Sequence, residues 1–409
     1  MKSFINFVVE SKEFITEAKN LHLEHVEDEI LNNGVDGGRD AINFIQSLRD
    51  MLAGTAKSSV NLSTKWDGAP AIFAGTDPSD GKFFVAKKSV FNKDPILYKK
   101  QSEIDLTGDL GDKFKIALKE FSKLGIKDVL QGDLLYTSLS SDIDDHWTFQ
   151  PNTIMYAVPK DSDIGKKIAK SKIGIVWHTT YTGDTLEGMS ASFGVNQNLK
   201  EIKTVWQTDA KYKDVSGTAK MTVAETNAVT KDLKNAGTIF GKINSSKLKR
   251  WNSLQSTLPP PAQWKTYQNF LIKNNSKIRG GRMQVAEYFK FVHEAFLKIT
   301  ATKKTEKTKK QWMERKEQFF KELRTHTGHM VTVVDFMGQI VNAKMKILKK
   351  LNSINQLGIG TFVKTSDGFK VTAPEGYVIA DKTQKAVKLV DRLEFSRLNF
   401  TAAKSWVKG

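Results

Sequence analysis

The spacing of apolar residues divides the chain into a helical stretch, a strand-rich stretch, a second helical stretch and a short strand-rich end. Ile42, Ile45, Leu48 and Leu52 recur at intervals of three and four, giving one apolar helix face with Gly54 as its stop, and 1–54 as a whole reads as helical. From Val60 the texture changes. Segments 60–65, 71–74 and 82–87 read as strands, and the last two are separated by the turn-rich Asp77-Pro78-Ser79-Asp80-Gly81. A helix is predicted over 111–123, then strands over 129–136, 154–158 and 173–177.

From about residue 220 into the 350s the period is helical again, interrupted at Leu258-Pro259-Pro260-Pro261 and at Gly280-Gly281. Val285, Phe289, Val292, Phe296 and Ile299 share one helix face, and the lysine-rich 303–310 reads as a solvated connection or helix end. Strands are predicted over 369–372, 376–379 and 386–390, with a closing helix over about 391–407. No internal repeat is present. The expected class is α+β: a mixed or antiparallel sheet domain with a large all-α insertion and a helical N-terminal segment.

Composition narrows the function classes. The 409 residues are enough for two or three domains, at 39% hydrophobic and 26% charged, which excludes wholesale disorder. Cysteine is absent, so disulfides, thiolate metal sites and cysteine nucleophiles are excluded together. No apolar run reaches the ~20 residues a membrane span needs, and the 4–9 stretch is too short for a signal-peptide core. The reading is a soluble cytoplasmic protein without membrane attachment. Charge is unevenly spread: 241–350 holds 24 Lys and Arg against 7 Asp and Glu, while the remaining residues hold 39 and 38. A basic region of this kind suits a polyanion, and Lys247, Lys249, Arg250, Arg279 and Arg282 are its candidate nucleic-acid contacts. Trp251, Trp264, Tyr267, Phe291 and Trp312 lie among the lysines, where they serve either as stacking surfaces or as helix core.

The candidate chemistry begins at Lys65-Trp66-Asp67-Gly68, at the end of a predicted strand, where a lysine presents its amine and glycine lets a ligand approach the backbone. Asp133 stands in the otherwise apolar 129–136 strand, Glu375 precedes Gly376-Tyr377-Val378, and Lys388 points opposite to Val387 and Leu389. Two lysines and two carboxylates are thereby expected along one groove. Close histidines (His22 and His25 with Glu24, and His326 with His329) read as helix turns in preference to metal ligands.

In the order of these motifs the sequence resembles the covalent nucleotidyltransferases, the superfamily of polynucleotide ligases and messenger RNA capping enzymes. Those proteins carry Lys-x-Asp-Gly, a Gly-Glu between apolar residues, Glu-Gly-apolar-Val and a lysine-bearing strand, matched here by 65–68, Gly132-Asp133, 375–378 and Lys388. The N-terminal text and first motif also resemble a family of uncharacterised tailed-phage proteins, which would place the protein in the host cytoplasm. The resemblance covers about 60–180 and 365–392. It implies an ATP-grasp-like ligase fold with a nucleotidyltransferase domain over 57–220 and 355–409, a basic helical insertion over 221–354 and a helical segment over 1–56.

It also implies a mechanism. Lys65 would take AMP from ATP and pass it to a nucleic-acid 5′-phosphate, with Asp67 and Lys388 as catalytic partners. Gly68, Lys87, Lys88, Asp133, Glu375 and Lys385 would bind the nucleotide, Glu375 and Asp133 would hold Mg²⁺ or Mn²⁺, and Trp177, His178 or Tyr181 would stack on adenine. The chain departs from the pattern in three places: Asp133 replaces the usual glutamate, Val390 stands where a second lysine is common, and Ala69-Pro70 follows the first motif in place of arginine. With 21 residues after Lys388, no OB-fold domain is expected there, which favours RNA over DNA. The alternatives are a DNA or nick-sealing ligase, and a non-catalytic nucleic-acid-binding protein on a degenerate scaffold. The sequence points to no protein partner.

Overall fold

The computed structural model describes residues 23–56, 61–211, 220–353, 358–365, 368–381 and 385–401. In chain order the elements are α1 (Glu29–Asn32), α2 (Gly34–Ala53), β1 (Asn61–Lys65), β2 (Ala71–Thr76), β3 (Phe83–Ala86), α3 (Gly108–Phe121), β4 (Val129–Tyr136), β5 (His146–Phe149) and β6 (Ile154–Pro159). Next come α4 (Asp163–Ile168), β7 (Ile173–Thr182), β8 (Ser190–Phe193) and β9 (Val205–Asp209). Helices α5 (Val223–Phe240), α6 (Ser245–Thr257), α7 (Trp264–Lys273), α8 (Gly281–Ala301) and α9 (Glu306–Asn352) follow. The described chain closes with β10 (Gly360–Thr365), β11 (Gly368–Val371), β12 (Gly376–Ala380), β13 (Ala386–Leu389) and α10 (Arg397–Thr401). The class is mixed α and β with largely antiparallel sheets. The parts of the predicted terminal helices at 1–22 and 402–407 lie outside the described residues.

Contacts group the chain into two units. One is built on Gly68–Ser140 and Asp163–Ala210 and contains a six-stranded sheet in the order β3-β2-β4-β7-β8, with β9 parallel to β7. Strand alternation fills both of its faces. Ile72, Ala74, Leu130, Ile175 and Trp177 point toward Phe114, Ala117 and Phe121 of α3, and Phe73, Val129 and Tyr181 point the other way, with Phe84 and Met189. Gly75 lies so close to the next strand that a Cβ would fall 2.3 Å from the Asp128 carbonyl oxygen.

The other unit is built on Glu24–Asp67, Ser141–Ser162 and Lys211–Gly409. It holds a four-stranded sheet, β11-β10-β6-β5, and a three-stranded one, β1-β12-β13. Leu62, Tyr377, Ile379, Val387 and Leu389 of the three-stranded sheet share a single core with Leu48 and Leu52 of α2, Leu233 of α5, Trp251 of α6 and Ile340 of α9. The contact grouping therefore joins what the sequence reading separates. Helices α5–α9 are packed into the same core as the final strands, because their apolar faces have no other partner large enough to bury them. Trp251, Trp264 and Tyr267 sit in that core, at 0, 4 and 1% exposure, and present no stacking surface. The predicted break at Gly280-Gly281 opens α8, where a Cβ on Gly281 would meet the Val331 carbonyl oxygen at 2.4 Å and where the Asp335 carboxylate accepts from the Gly281 N–H at 2.7 Å.

Candidate functional site

Strand β1 ends at Lys65 because its polar residues alternate with Leu62, which faces the core, and because β12 pairs with it to the last residue, Lys65 opposite Gly376. Gly376 has to be glycine: a Cβ there would lie 2.3 Å from the Leu389 carbonyl oxygen on β13. Register then fixes the faces. Ser63 is opposite Val378, Val378 is opposite Lys388, and directly paired residues project to the same side of a sheet. Lys65, two residues on from Ser63, shares that side. Both lysines therefore stand on one face of the sheet, away from the core that Leu62, Ile379 and Val387 build.

Glu375 reaches this face as well. Its Oε2 lies 2.5 Å from Lys65 Nζ, with the lysine side chain 31% and the glutamate 9% exposed. Lys388 is held by its neighbours: its backbone N–H donates to the Glu24 carbonyl at 2.9 Å, and it forms a parallel bridge with His25. Burial lowers the Lys388 ammonium below the usual lysine range; the Lys65 and Arg392 cations act in the same sense, and Glu24 and Glu375 oppose. His25 is 8% exposed, and its Nδ1 has no hydrogen-bond partner among the described residues. Burial, then Arg392, Lys344, Lys388 and Lys65, hold this imidazole neutral, with its pKa well below 6.5.

Asp67 does something different from what the motif suggests. Its carboxylate accepts from Asn152 Nδ2 at 2.7 Å and from the backbone N–H groups of Thr153 and Ile154 at 2.6 and 2.7 Å, while its own N–H donates to the Tyr156 hydroxyl at 2.8 Å. Buried and engaged in this way, it ties the strand end to the start of β6 and positions Lys65. The Ala69–Pro70 peptide that follows is cis.

The candidates are shared between the two units. Lys65, Asp67, Glu375, Lys385 and Lys388 belong to one unit; Gly68, Lys87, Lys88, Asp133 and Trp177 belong to the other. Gly68 packs on β4, where a Cβ would come 2.6 Å from the Asp133 Cβ. Asp133 pairs with Ala71 and Val176 and has His178 Nε2 at 3.8 Å. Lys87 and Lys88 lie at the end of β3, half-buried and exposed. Trp177 corrects the expectation of a stacking residue: it is 1% exposed, T-shaped against Phe121, with its indole N–H on Gln207. Tyr181 is buried too, so His178 is the one of the three that is partly open. Lys385 is paired with Asp40 at 2.9 Å. In the basic region Lys247, Lys249, Arg250 and Arg282 are exposed, Arg250 has Glu322 at 3.9 Å, and Arg279 is paired with Glu287 at 3.0 Å.

The sequence reading missed a buried ionic group beside the site. Lys344 of α9 donates to Glu27 at 2.8 Å and to the Val390 carbonyl at 3.0 Å, and Arg392 donates to Asp28 at 2.9 Å. Its signal was Lys344 itself, a lysine occupying an apolar position between Ile340 and Ile347. The helix turn expected around His22 and His25 is not formed at His25, which bridges to Lys388 in extended backbone, and His22 lies outside the described residues.

A family model matches residues 20–404, described as a family of unknown function, DUF6267. The chain belongs to that family. No curated protein and no solved structure matches it. Among the described residues of this DUF6267 chain no helix is long and apolar enough to cross a membrane.

Proposed function

We propose that the chain is an ATP-dependent RNA ligase that acts through a covalent Lys65–AMP intermediate. The observation that carries this reading is the placement of Lys65 and Lys388 on one face of the β1-β12-β13 sheet, with the Glu375 carboxylate on the Lys65 amine. The amine attacks the α-phosphorus of ATP as the neutral base, a bond to phosphorus forms as the bond to the β-phosphate oxygen breaks, and pyrophosphate leaves. The proton that the ammonium must first lose passes to Glu375 or to solvent. The Lys388 cation on the same face favours that loss, because like charges repel, and the Glu375 carboxylate is the group that opposes it until it takes the proton. Lys388, on the same face, draws the charge growing on the phosphate oxygens. The adenylate then moves to a 5′-phosphate, and a 3′-hydroxyl displaces AMP.

Mg²⁺ fits the donor set, since such ions are held by one or two carboxylates plus phosphate oxygens and Glu375 offers one hard carboxylate. When bound, the ion neutralises phosphate charge. A nucleic-acid substrate is favoured by the exposed cations of α6 and α8, while the choice of RNA rests on the resemblance alone. One observation favours the non-catalytic alternative: Lys385, a candidate for the nucleotide phosphates, is spent on Asp40.

Incubation with Mg²⁺ and ATP labelled at the α-phosphate, read by intact mass, separates the two. One AMP is expected on the wild type and none on Lys65→Ala, with release by pyrophosphate. Absence of an adduct with ATP, GTP or NAD, in Mg²⁺ or Mn²⁺, overturns the ligase reading.

A further inference from the structure

Tryptophan is rarely left in water, and here Trp66, Trp177, Trp206, Trp251 and Trp264 are all buried. Trp147 is half-buried with Lys160 Nζ 4.8 Å from its ring centroid, and Trp312, near the start of α9, is half-buried with its ring packed toward Phe296 of α8, centroids 6.2 Å apart, and two cations over it. Lys303 Nζ lies 5.0 Å from the ring centroid and the Arg315 guanidinium 5.0 Å. Arg315 also lies over Phe319 at 5.5 Å, and Arg324 over Phe320 at 6.0 Å. None of these three cations forms an ion pair among the described residues, whereas Lys309 of the same helix is paired with Glu306. Cations held on aromatic faces are ordered without being neutralised. Trp312, Arg315 and Phe319 recur at three and four along one helix face, so ring, guanidinium and ring succeed one another over about 10 Å.

We propose that this face of α9, centred on Trp312 with Lys303 and Arg315, docks single-stranded nucleic acid. A base stacks on the indole in place of one covering side chain, and the displaced cation turns to the adjacent phosphate. The surface lies outside the Lys247–Arg250 and Arg279–Arg282 clusters and rests on the nucleic-acid partner of the proposed function. A duplex, whose bases are stacked on each other, offers the indole no face, so the surface selects single strands.

The test is fluorescence anisotropy of labelled oligo(U) and oligo(dT) with the full chain, comparing Trp312→Ala, Arg315→Gln and, as a control for charge alone, Lys119→Gln. Trp312→Ala is expected to weaken binding about tenfold or more. Arg315→Gln is expected to weaken it severalfold and to reduce the salt slope by about one. Lys119→Gln is expected to bind as wild type. A stronger loss for oligo(U) than for oligo(dT) assigns the site to RNA, and equal losses assign it to either strand. The proposal is overturned if the wild type binds neither oligonucleotide, if Trp312→Ala and Arg315→Gln bind as wild type, or if Lys119→Gln loses as much as Arg315→Gln. Circular dichroism confirms that Trp312→Ala is folded, and Arg315→Gln leaves the core untouched. Adenylylation at Lys65 is scored separately: Trp312-dependent binding without an adduct removes the ligase and keeps this surface, and an adduct without Trp312 dependence does the reverse.

Discussion

Lys65 and Lys388 stand on the same face of one sheet with only strand β12 between them. Two ammonium groups so placed, one of them lowered by burial, make a surface that wants an anion. Under the proposed chemistry, Lys388→Gln slows formation of the Lys65–AMP adduct by about a hundredfold, the range found when one stabilising donor is removed from a transition state. Single-turnover adduct formation measures it. An unchanged rate would remove Lys388 from the mechanism.

Asp67 is expected to matter for stability beyond its effect on the adduct. Asp67→Ala leaves Asn152 and two backbone N–H groups facing a void, a loss of about 3 kcal/mol. Asp67→Asn is expected to be milder, because its one oxygen can still accept from both backbone N–H groups while its NH₂ faces the Asn152 amide, which can turn to present its oxygen. Urea unfolding of both, beside Lys65→Met at under about 1 kcal/mol, distinguishes the buried clamp from the partly open ion pair.

The Lys344–Glu27 pair is 2 and 1% exposed. Lys344→Met alone is expected to cost about 3 kcal/mol, because it leaves the buried Glu27 carboxylate with Arg392 at 3.8 Å as its nearest remaining cation. Adding Glu27→Gln is expected to restore much of that, and the double-mutant cycle reads the coupling. Simple additivity of the two losses would show that the pair is not coupled.

The pH dependence carries the signature of His25. The unfolded imidazole takes up a proton near 6.5, while the folded site, by burial and four nearby cations, refuses it. Stability is therefore complete above about pH 6.5 and falls as pH drops below it, by up to about 1.4 kcal/mol per unit. His326 and His329, lowered chiefly by burial, act in the same direction; Asp28, whose carboxyl burial pushes up, acts against them. His25→Gln is expected to flatten the profile between pH 7 and 5, and an identical slope in the variant would show that the imidazole takes up its proton as readily in the fold as in the unfolded chain.

What the sequence disclosed followed physical periodicity. Strands at 61–65, 129–136 and 376–380 were readable because core and solvent residues alternate or run apolar there, and the helices after 220 because their apolar faces repeat at three and four. Short strands β5, β8 and β9 were not, since four or five residues bounded by polar loops carry little pattern of their own. The sheet face shared by Lys65 and Lys388 was half visible. Alternation gave the direction of Lys388, but the register that puts it level with Val378 depends on long-range pairing. The cradle around Asp67 assembles from segments 85–89 residues apart and the ionic group of Glu27, Asp28, Lys344 and Arg392 from segments more than 300 apart, and no local spacing encodes such a meeting.

The common core of α2, α5–α9 and the three-stranded sheet has a consequence for synthesis. Helix α2 leaves the ribosome with Ile45, Leu48 and Leu52 bare, and its first large partner, α5, begins at Val223. At about 5–20 residues per second the wait is roughly 8–30 s, during which the other unit is being made. The apolar stripe of α2 is thus a nascent-chain liability until the second half of its own core arrives.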